Sequence, residues 1–193
     1  MRKIILLFLM PASCFSQTNY SIKDLKAGKF IGDASYVYAL PFEKNKKVFL
    51  IQAYDSKMSH KGEIALDFKV KQGTEIYAAR EGVVTSLRKD SDKGGLKDEN
   101  LSDGNFIIIQ HSDGSSAMYW HLQKNGVFIN IGDTVQKGQL IGLCGNTGYS
   151  AFPHLHFEVQ GYDAIGNYKQ IPTRFQTNKG IRYLRPGKFY RNS

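Results

Sequence analysis

The chain has little cysteine, proline, tryptophan or histidine. Its 193 residues include two Cys, five Pro, one Trp and five His. Because Cys14 lies in an N-terminal segment with the features of a removable leader, Cys144 is expected to be the one cysteine of the mature protein. An intramolecular disulfide is then excluded, and the hydrophobic core must stabilise the fold. Cys144, between Leu143 and Gly145, is most simply a small buried hydrophobic residue.

The chain also lacks a hydrophobic run long enough to span a bilayer as a helix, which needs about 20 residues. It begins "MRKIILLFLMPASCFSQ", in which a basic pair precedes the apolar run 4–10 and a small-x-small site "CFS". This pattern predicts a secretory signal peptide over residues 1–16, with cleavage before Gln17. We therefore expect export to the periplasm, the cell envelope or the medium. Lipid anchoring through Cys14 is the alternative, although Pro11 fits the usual lipobox poorly.

Acidic residues are in the minority, with 17 Asp and Glu against 26 Lys and Arg, for a net charge of +9. Loss of Arg2 and Lys3 with the leader lowers this value to +7. For an exported protein, the expected polyanionic partner is an envelope surface and not nucleic acid.

Positive charge is concentrated in a C-terminal extension, residues 163–193, which holds seven basic residues against one acid. One interpretation is a solvated extension packed on the domain by its apolar side chains, namely Phe175, Tyr183, Leu184 and Phe189. The other is electrostatic retention at an anionic envelope surface, which would be sensitive to salt.

Long helical periodicity is absent. Short β-type runs such as "VFLIQAY", "NFIIIQH" and "HLHFEV" are separated by Gly, Asp, Asn and Lys, and the chain contains 12 Phe, 11 Tyr and 19 Gly. These features predict an all-β fold with little helix, built as a β-sandwich or a partly open barrel. The expected organisation is an N-terminal lead-in over 17–46, one domain over 47–162 and the C-terminal extension. The polar segment 89–104 predicts a surface loop.

A faint internal repeat lies within the domain. The pattern Val70-x-x-Gly73-x-x-Ile76 recurs as "VQKGQLI" over 135–141. Two related β-turn-β units would explain it.

Two histidines stand one residue apart in "PHLHFEV". In a strand, residues two apart point to the same face, so His154 and His156 would share one face while Leu155, Phe157 and Val159 occupy the other. The pair alone is equally compatible with exposed side chains. Whether the two histidines form a site or are simply exposed depends on which residues lie beside them in the fold.

Two further segments show a comparable pattern. In "IALDFKV" the apolar residues alternate so that Asp67 lies on the opposite face, and "AMYWHL" alternates Met118 and Trp120 against Tyr119 and His121. Zinc accepts His nitrogen and Asp oxygen, and a catalytic site keeps three protein ligands with a fourth position for water. Three of five residues could therefore bind zinc while two remain for proton transfer: His60, Asp67, His121, His154 and His156.

The segments "SHKGEIALDF", "YWHL" and "GNTGYSAFPHLHFEV" resemble, in order, the three signatures of the lysostaphin-like (LytM-type) zinc metallopeptidases. The connecting segments "QGTEIYAAREGVV" and "IGDTVQKGQLIGLCGNTG" match too, so the resemblance covers roughly residues 36–160. It implies the duplicated hybrid-motif fold, which would account for the repeat. One departure concerns loop shape: six residues separate His60 from Asp67, where many members have three.

The resemblance also implies roles. His60, Asp67 and His156 would bind one Zn²⁺ per chain, and His121 and His154 would be the catalytic histidines, exchanging protons with water and with the leaving amine.

Four other residues also receive predicted roles. Tyr54, six residues before His60, matches a family tyrosine that positions substrate or stabilises the oxyanion. Glu158 is predicted to be an exposed carboxylate, with support of a zinc ligand as the alternative. His111, in the turn "QHSDG", is predicted to be a surface or turn-stabilising histidine, and Trp120 a core residue.

The function implied is that of an exported zinc endopeptidase that hydrolyses peptide bonds in peptidoglycan cross-links or bridges. No nucleic-acid partner and no transmembrane segment are expected. A catalytically silent wall-binding module that activates another hydrolase is the alternative, although such members lack ligands and this chain keeps all five residues. A related sugar-phosphotransfer carrier fold is disfavoured by the export signal.

Overall fold

The computed structural model describes residues 36–162 and 166–193. The predicted signal peptide, Cys14 and most of the lead-in lie outside the described residues. Within those ranges, no helix has the length and apolar character needed to cross a membrane.

Nearly all regular structure in the described residues is β-strand, as the sequence predicts. The first nine strands are β1 Val37–Ala39, β2 Lys47–Gln52, β3 Ala65–Lys69, β4 Glu75–Tyr77, β5 Gly82–Arg88, β6 Gly94–Gly95, β7 Phe106–Gln110, β8 Ser116–Trp120 and β9 Leu122–Val127. The others are β10 Thr134–Val135, β11 Leu140–Cys144, β12 Gly148–Tyr149, β13 His154–Tyr162, β14 Tyr168–Gln170, β15 Arg174–Thr177, β16 Gly180–Tyr183 and β17 Lys188–Arg191. A single 3₁₀ turn, Asp98–Asn100, interrupts the loop between β6 and β7.

The main sheet has nine strands in the order β10-β5-β7-β8-β13-β3-β2-β17, with β14 paired to β13 beside this path. The order has two open ends, so the sheet does not close into a barrel. Its strand pairs are antiparallel. Antiparallel sheets can pack one face on a core and leave the other to solvent or to a site.

The core lies on one face of this sheet, where the alternation in β13 places Leu155, Phe157 and Val159. Phe157 packs edge-on against Tyr119 of β8, with ring centroids 5.2 Å apart, and Phe68 of β3 is fully buried on the same side. The prediction that these residues face inward is confirmed. The polar residues that alternate with them are therefore directed to the opposite face.

The faint repeat corresponds to two similar turns. Gly73 and Gly138 both have positive φ, 77° and 82°, a conformation that glycine adopts without a Cβ penalty. The strands that follow the two turns, β4 and β11, pair with each other antiparallel. Each turn glycine donates its N–H across this pair, from Gly73 to the carbonyl of Cys144 and from Gly138 to the carbonyl of Ala78.

Both flanks of the predicted domain contribute to the fold. β1 pairs in parallel with β15 of the C-terminal extension, and β17 pairs with β2 at the edge of the main sheet. Phe175 is fully buried, with its ring 5.7 Å from that of Phe157. Phe189 is instead 61% exposed and covers Phe49. The extension is thus packed on the core through Phe175, although Phe189 is not part of that packing.

Candidate metal centre and active site

Strand register places a carboxylate and an imidazole side by side on the face away from the core. β3 and β13 pair antiparallel with Asp67 opposite His156, and Oδ1 of Asp67 lies 3.0 Å from Nδ1 of His156. His60 reaches the same carboxylate from the preceding loop, with its Nε2 3.2 Å from Oδ2 of Asp67. One potential ligand atom from each of the three residues lies within 4.8 Å of the others.

The donor set fits Zn²⁺, which binds imidazole nitrogen and carboxylate oxygen. His60 and Asp67 are buried, so the negative charge of Asp67 is stabilised by its hydrogen-bond partners and not by water. Burial alone would raise the pKa of Asp67, but the hydrogen bonds from His156 and His60 lower it. Burial opposes charge on His156 too, yet Asp67 and Glu158 raise the pKa of His156 to about 10. A metal ion held by His156 would compete with the proton on this ring.

Gln52 belongs to the site, although no sequence motif singles it out. Its Nε2 donates to Oδ2 of Asp67 at 2.9 Å and to Oγ of Ser59 at 2.7 Å. Simple alternation from Val48 and Leu50 would place Gln52 on the core face. A bulge in the β2–β3 pairing, between Leu50 and Gln52, directs it instead to the side of Asp67, because an extra residue re-aims the side chains that follow.

The other two histidines of the predicted set lie beside this cluster. The rings of His121 and His154 are 4.6 Å apart, and those of His121 and His156 5.9 Å. Nδ1 of His121 donates to the carbonyl of Thr147 at 2.7 Å, and Nδ1 of His154 to that of Phe152 at 2.8 Å. Since a carbonyl only accepts, these bonds place the proton on Nδ1 and leave Nε2 of each neutral ring as an acceptor.

The environment keeps both of these imidazoles neutral at pH 7. Burial and the nearby His154 and His156 lower the pKa of His121 to about 3. Burial also lowers the pKa of His154, against the opposing effect of Asp67. The two rings are therefore proton acceptors, whereas His156 on the same strand as His154 is held in its charged form.

A break in β8 brings His121 to the site. β8 ends at Trp120, and His121 has φ of 64°, in the left-handed region that His tolerates better than most residues. Tyr119 and Ala117 face the core, so the face assigned to "AMYWHL" from its alternation was wrong. Trp120, predicted to be a core residue, lines the cleft instead.

The loop "GNTGYSAFP" supports His121 from behind. Oγ1 of Thr147 donates to the carbonyl of Leu122 and accepts from the N–H of Asn105, which holds the Thr147 carbonyl against His121. Gly148 has φ of 79°, and a Cβ there would lie 2.7 Å from Cα of Gly104. Glycine is therefore required for this close approach.

The structure does not bring Tyr54 to the cleft. Its side chain is 2% exposed, and its hydroxyl donates to the carbonyl of Thr173 and accepts from the N–H of the same residue, both at 3.1 Å. This arrangement ties the start of β15 to the core. It does not present the hydroxyl to a substrate, as the sequence-based role would require.

The predictions for Glu158 and His111 also need correction. Glu158 is 7% exposed because β14 covers it, with Gln170 bonded to its carboxylate. His111 is 4% exposed, so the surface interpretation is wrong. Its Nδ1 donates to the carbonyl of Glu81 at 2.7 Å, and its main chain closes the turn to Ser115, which agrees with a turn-stabilising histidine.

The clustered side chains open into a cleft of about 610 Å³, within the range of small-molecule and peptide sites. Exposed apolar residues form part of its wall, namely Met58, Leu96, Leu101 and Tyr149. Leu96 and Leu101 come from the segment 89–104 that the sequence predicts as a surface loop. The cleft thus combines a polar floor with apolar sides.

This fold and this donor set are those of a metallopeptidase. The sequence pattern described as peptidase family M23 matches residues 59–169. The chain belongs to this family, as its resemblance to the lysostaphin-like peptidases predicts.

Several curated relatives have peptidoglycan endopeptidase names. Peptidoglycan DD-endopeptidase ShyA of Vibrio cholerae is 37% identical over 93 residues, which cover 48% of this chain and 19% of the relative. Glycyl-glycine endopeptidase ALE-1 of Staphylococcus capitis is 34% identical over 116 residues, which cover 60% of this chain and 29% of the relative. The matched segment thus spans less than a third of either relative.

Solved structures show the same fold. The M23 metalloprotease pseudoalterin from the deep sea has a TM-score of 0.52 at 22% identity, covering 82% of this chain and 96% of that one. The catalytic domain of the prophage-encoded M23 protein EnpA from Enterococcus faecalis has a TM-score of 0.50 at 23% identity, covering 68% and 93%. At these identities the likeness concerns the fold alone.

Proposed function

We propose that the protein is an exported zinc-dependent endopeptidase that hydrolyses peptide bonds in peptidoglycan cross-links or bridges. One observation carries the proposal: three potential metal ligands and two neutral histidines face the same cleft. The names of the relatives, a DD-endopeptidase and a glycyl-glycine endopeptidase, support the substrate class. They cleave different bonds, so the class is proposed without a choice of bond.

In this proposal His60, Asp67 and His156 hold the ion. When bound there, Zn²⁺ supplies Lewis acidity that lowers the pKa of a coordinated water toward about 7 and polarises a carbonyl. His121 and His154 present unprotonated Nε2 atoms to the cleft. They would accept the proton of the attacking water and return one to the leaving amine, the work of general acid–base catalysis.

The proposal extends to an anionic envelope surface as the partner of the C-terminal extension. A second concavity of about 640 Å³ lies between β15, β16 and β17, on strands outside the metal centre. Five of its lining residues are cationic: Arg174, Lys179, Arg182, Arg185 and Lys188. Retention through these charges would weaken as salt screens them, so binding to isolated cell walls should fall between 50 mM and 500 mM NaCl, about 14 Å and about 4 Å of Debye length.

The test of the enzymatic proposal is the digestion of purified peptidoglycan followed by mass spectrometry of the released muropeptides. Clearing of the suspension should stop with a chelator and return with zinc, and the mass increase of water should identify the cleaved bond. His156→Ala should abolish clearing. Binding to peptidoglycan without any released fragment would favour the silent wall-binding module instead.

A further inference from the structure

The C-terminal extension reaches the metal centre through one side chain. β14 pairs antiparallel with the end of β13, with Gln170 opposite Gln160. Gln170 is partly buried and lies among the residues that line the cleft. It is thus the last residue of β14 and the point where the extension meets the site.

The amide of Gln170 joins two parts of that site. Its Nε2 donates to Oε2 of Glu158, and its Oε1 accepts from the N–H of Ile64 at 2.8 Å. Ile64 lies between His60 and Asp67 in the chain, immediately before β3. One side chain therefore ties the segment that carries two proposed ligands to the strand that carries the third.

Glu158 lies behind the third proposed ligand. It occupies the same face of β13 as His156, and its Oε2 is 3.8 Å from Nε2 of that ring. The other ring nitrogen, Nδ1, is the one beside Asp67. Glu158 also accepts from Nε2 of Gln160 at 3.0 Å. A buried carboxylate needs such donors, and they fix its position relative to the imidazole.

Carboxylates behind metal-binding histidines set the tautomer and the orientation of the ring, and they raise its basicity. Glu158 can do this for His156 only while its own oxygens are held. Of its two amide donors, Gln160 is on the same strand, whereas Gln170 comes from the extension.

We propose that Glu158 and Gln170 are positioning residues of the metal centre, so that the C-terminal extension sets the zinc affinity of a site whose ligands all lie outside it. This inference rests on the proposed function, because it takes His60, Asp67 and His156 as the ligands.

The test is the zinc affinity of the full chain, measured at pH 7 by competition with a chromophoric chelator. Glu158→Gln, Gln170→Met and Gln170→Glu should each weaken zinc binding by about 10- to 100-fold, the usual effect of losing a partner of a metal-binding histidine. Gln170→Glu separates the two bonds, since a carboxylate can still accept from Ile64 but cannot donate to Glu158. The matched control is Gln176→Met on β15, whose side chain is exposed and which should keep wild-type affinity.

A second readout distinguishes positioning from general stability. With Co²⁺ in place of zinc, the visible absorption spectrum should change in the three site variants and stay unchanged in Gln176→Met. If circular dichroism shows that Gln170→Met does not fold, Gln170→Glu and Glu158→Gln provide the test, because these substitutions keep the size of the side chain.

The inference is overturned if the folded variants bind zinc within twofold of wild type and give the wild-type Co²⁺ spectrum. Wild-type protein that binds no zinc would instead overturn the proposed metallopeptidase function. The two failures are therefore distinguishable.

Discussion

A double-mutant cycle on His121 and His154 tests whether the two neutral histidines handle the same proton. Asparagine is the appropriate substitute at both positions, because its amide can still donate to the carbonyls of Thr147 and Phe152 that now receive the Nδ1 protons. It removes only the Nε2 side of the ring. Asparagine also suits the φ of 64° at position 121, where alanine would add roughly 1–2 kcal/mol of backbone strain.

The expected loss of activity depends on whether the two histidines act independently. Loss of one general acid or base lowers the rate by about 10²–10⁴-fold, which is roughly 2.7–5.4 kcal/mol of transition-state stabilisation at about 1.36 kcal/mol per tenfold. Independent roles would multiply to about 10⁴–10⁸-fold in the double variant. Because the rings lie 4.6 Å apart over one cleft, we expect the effects of the two substitutions to be strongly coupled. The kcat/KM of the double variant should then be within about tenfold of that of the less active single variant.

The assay is kcat/KM for the release of free amines from purified peptidoglycan, with bound zinc and thermal unfolding measured on the same samples. All three variants should keep one zinc per chain, since neither histidine belongs to the triad of proposed ligands. His111→Asn is the matched control, a buried histidine bonded to the Glu81 carbonyl outside the cleft, and its folded fraction should keep wild-type kcat/KM. Multiplicative losses would refute the shared role, and a loss of zinc from either single variant would refute the assignment of ligands.

Three further predictions follow from single groups. In a Cys14→Ser variant, Cys144 should resist alkylation at pH 8 and react only after denaturation. Burial raises the pKa of its thiol to about 12, and only the thiolate is nucleophilic. Fast labelling of the folded protein would contradict this prediction. Phe175→Ala should lower the free energy of unfolding, measured in urea, by about 3–5 kcal/mol, since the ring is fully buried. A loss below about 1 kcal/mol would show that the extension is not part of the core. The metal-free protein should lose thermal stability as the pH rises from about 6.5 toward 10. The pKa of His156 is raised to about 10 in the folded state, and such a group stabilises the fold only while it is protonated. If His156→Gln lost thermal stability with pH at the same rate as wild type, His156 would be excluded as the cause.

The two strands with uninterrupted alternation were the parts of the site that the sequence predicted best. From Leu66 in β3 and from Leu155 to Gln160 in β13, apolar and polar residues alternate, so the period of two assigns Asp67, His154 and His156 to the side of their own strands opposite the apolar residues. Their register, which places Asp67 opposite His156, depends on the pairing of distant segments and is not contained in either pattern.

The errors arose where local backbone geometry or a distant strand changes the direction or burial of a side chain. The alternation of "AMYWHL" predicts the wrong face, because Ala117 and Tyr119 are the residues that face the core. The left-handed turn at His121 ends the strand at Trp120, so the alternation does not continue to His121. A bulge redirects Gln52. The exposure of Glu158 depends on β14, which a single-strand pattern cannot include. Positive φ, bulges and non-local pairing are the three causes, and none has a strong signature in a single sequence.

The proposed division of roles between His154 and His156 follows from the strand that pairs with them. Both rings project from the same face of β13, yet β3 places Asp67 opposite His156 and Lys69 opposite His154. The pKa of His156 is raised to about 10 by the neighbouring carboxylates, while burial lowers the pKa of His154. A slip of two residues in the β3–β13 register would keep every side chain on its face but exchange the carboxylate for an ammonium group beside His156. In the proposed site, this register brings Oδ1 of Asp67 closer to His156, at 3.0 Å from Nδ1, than to His154, at 3.7 Å from Nε2, which suits His156 to hold a metal ion and His154 to accept a proton.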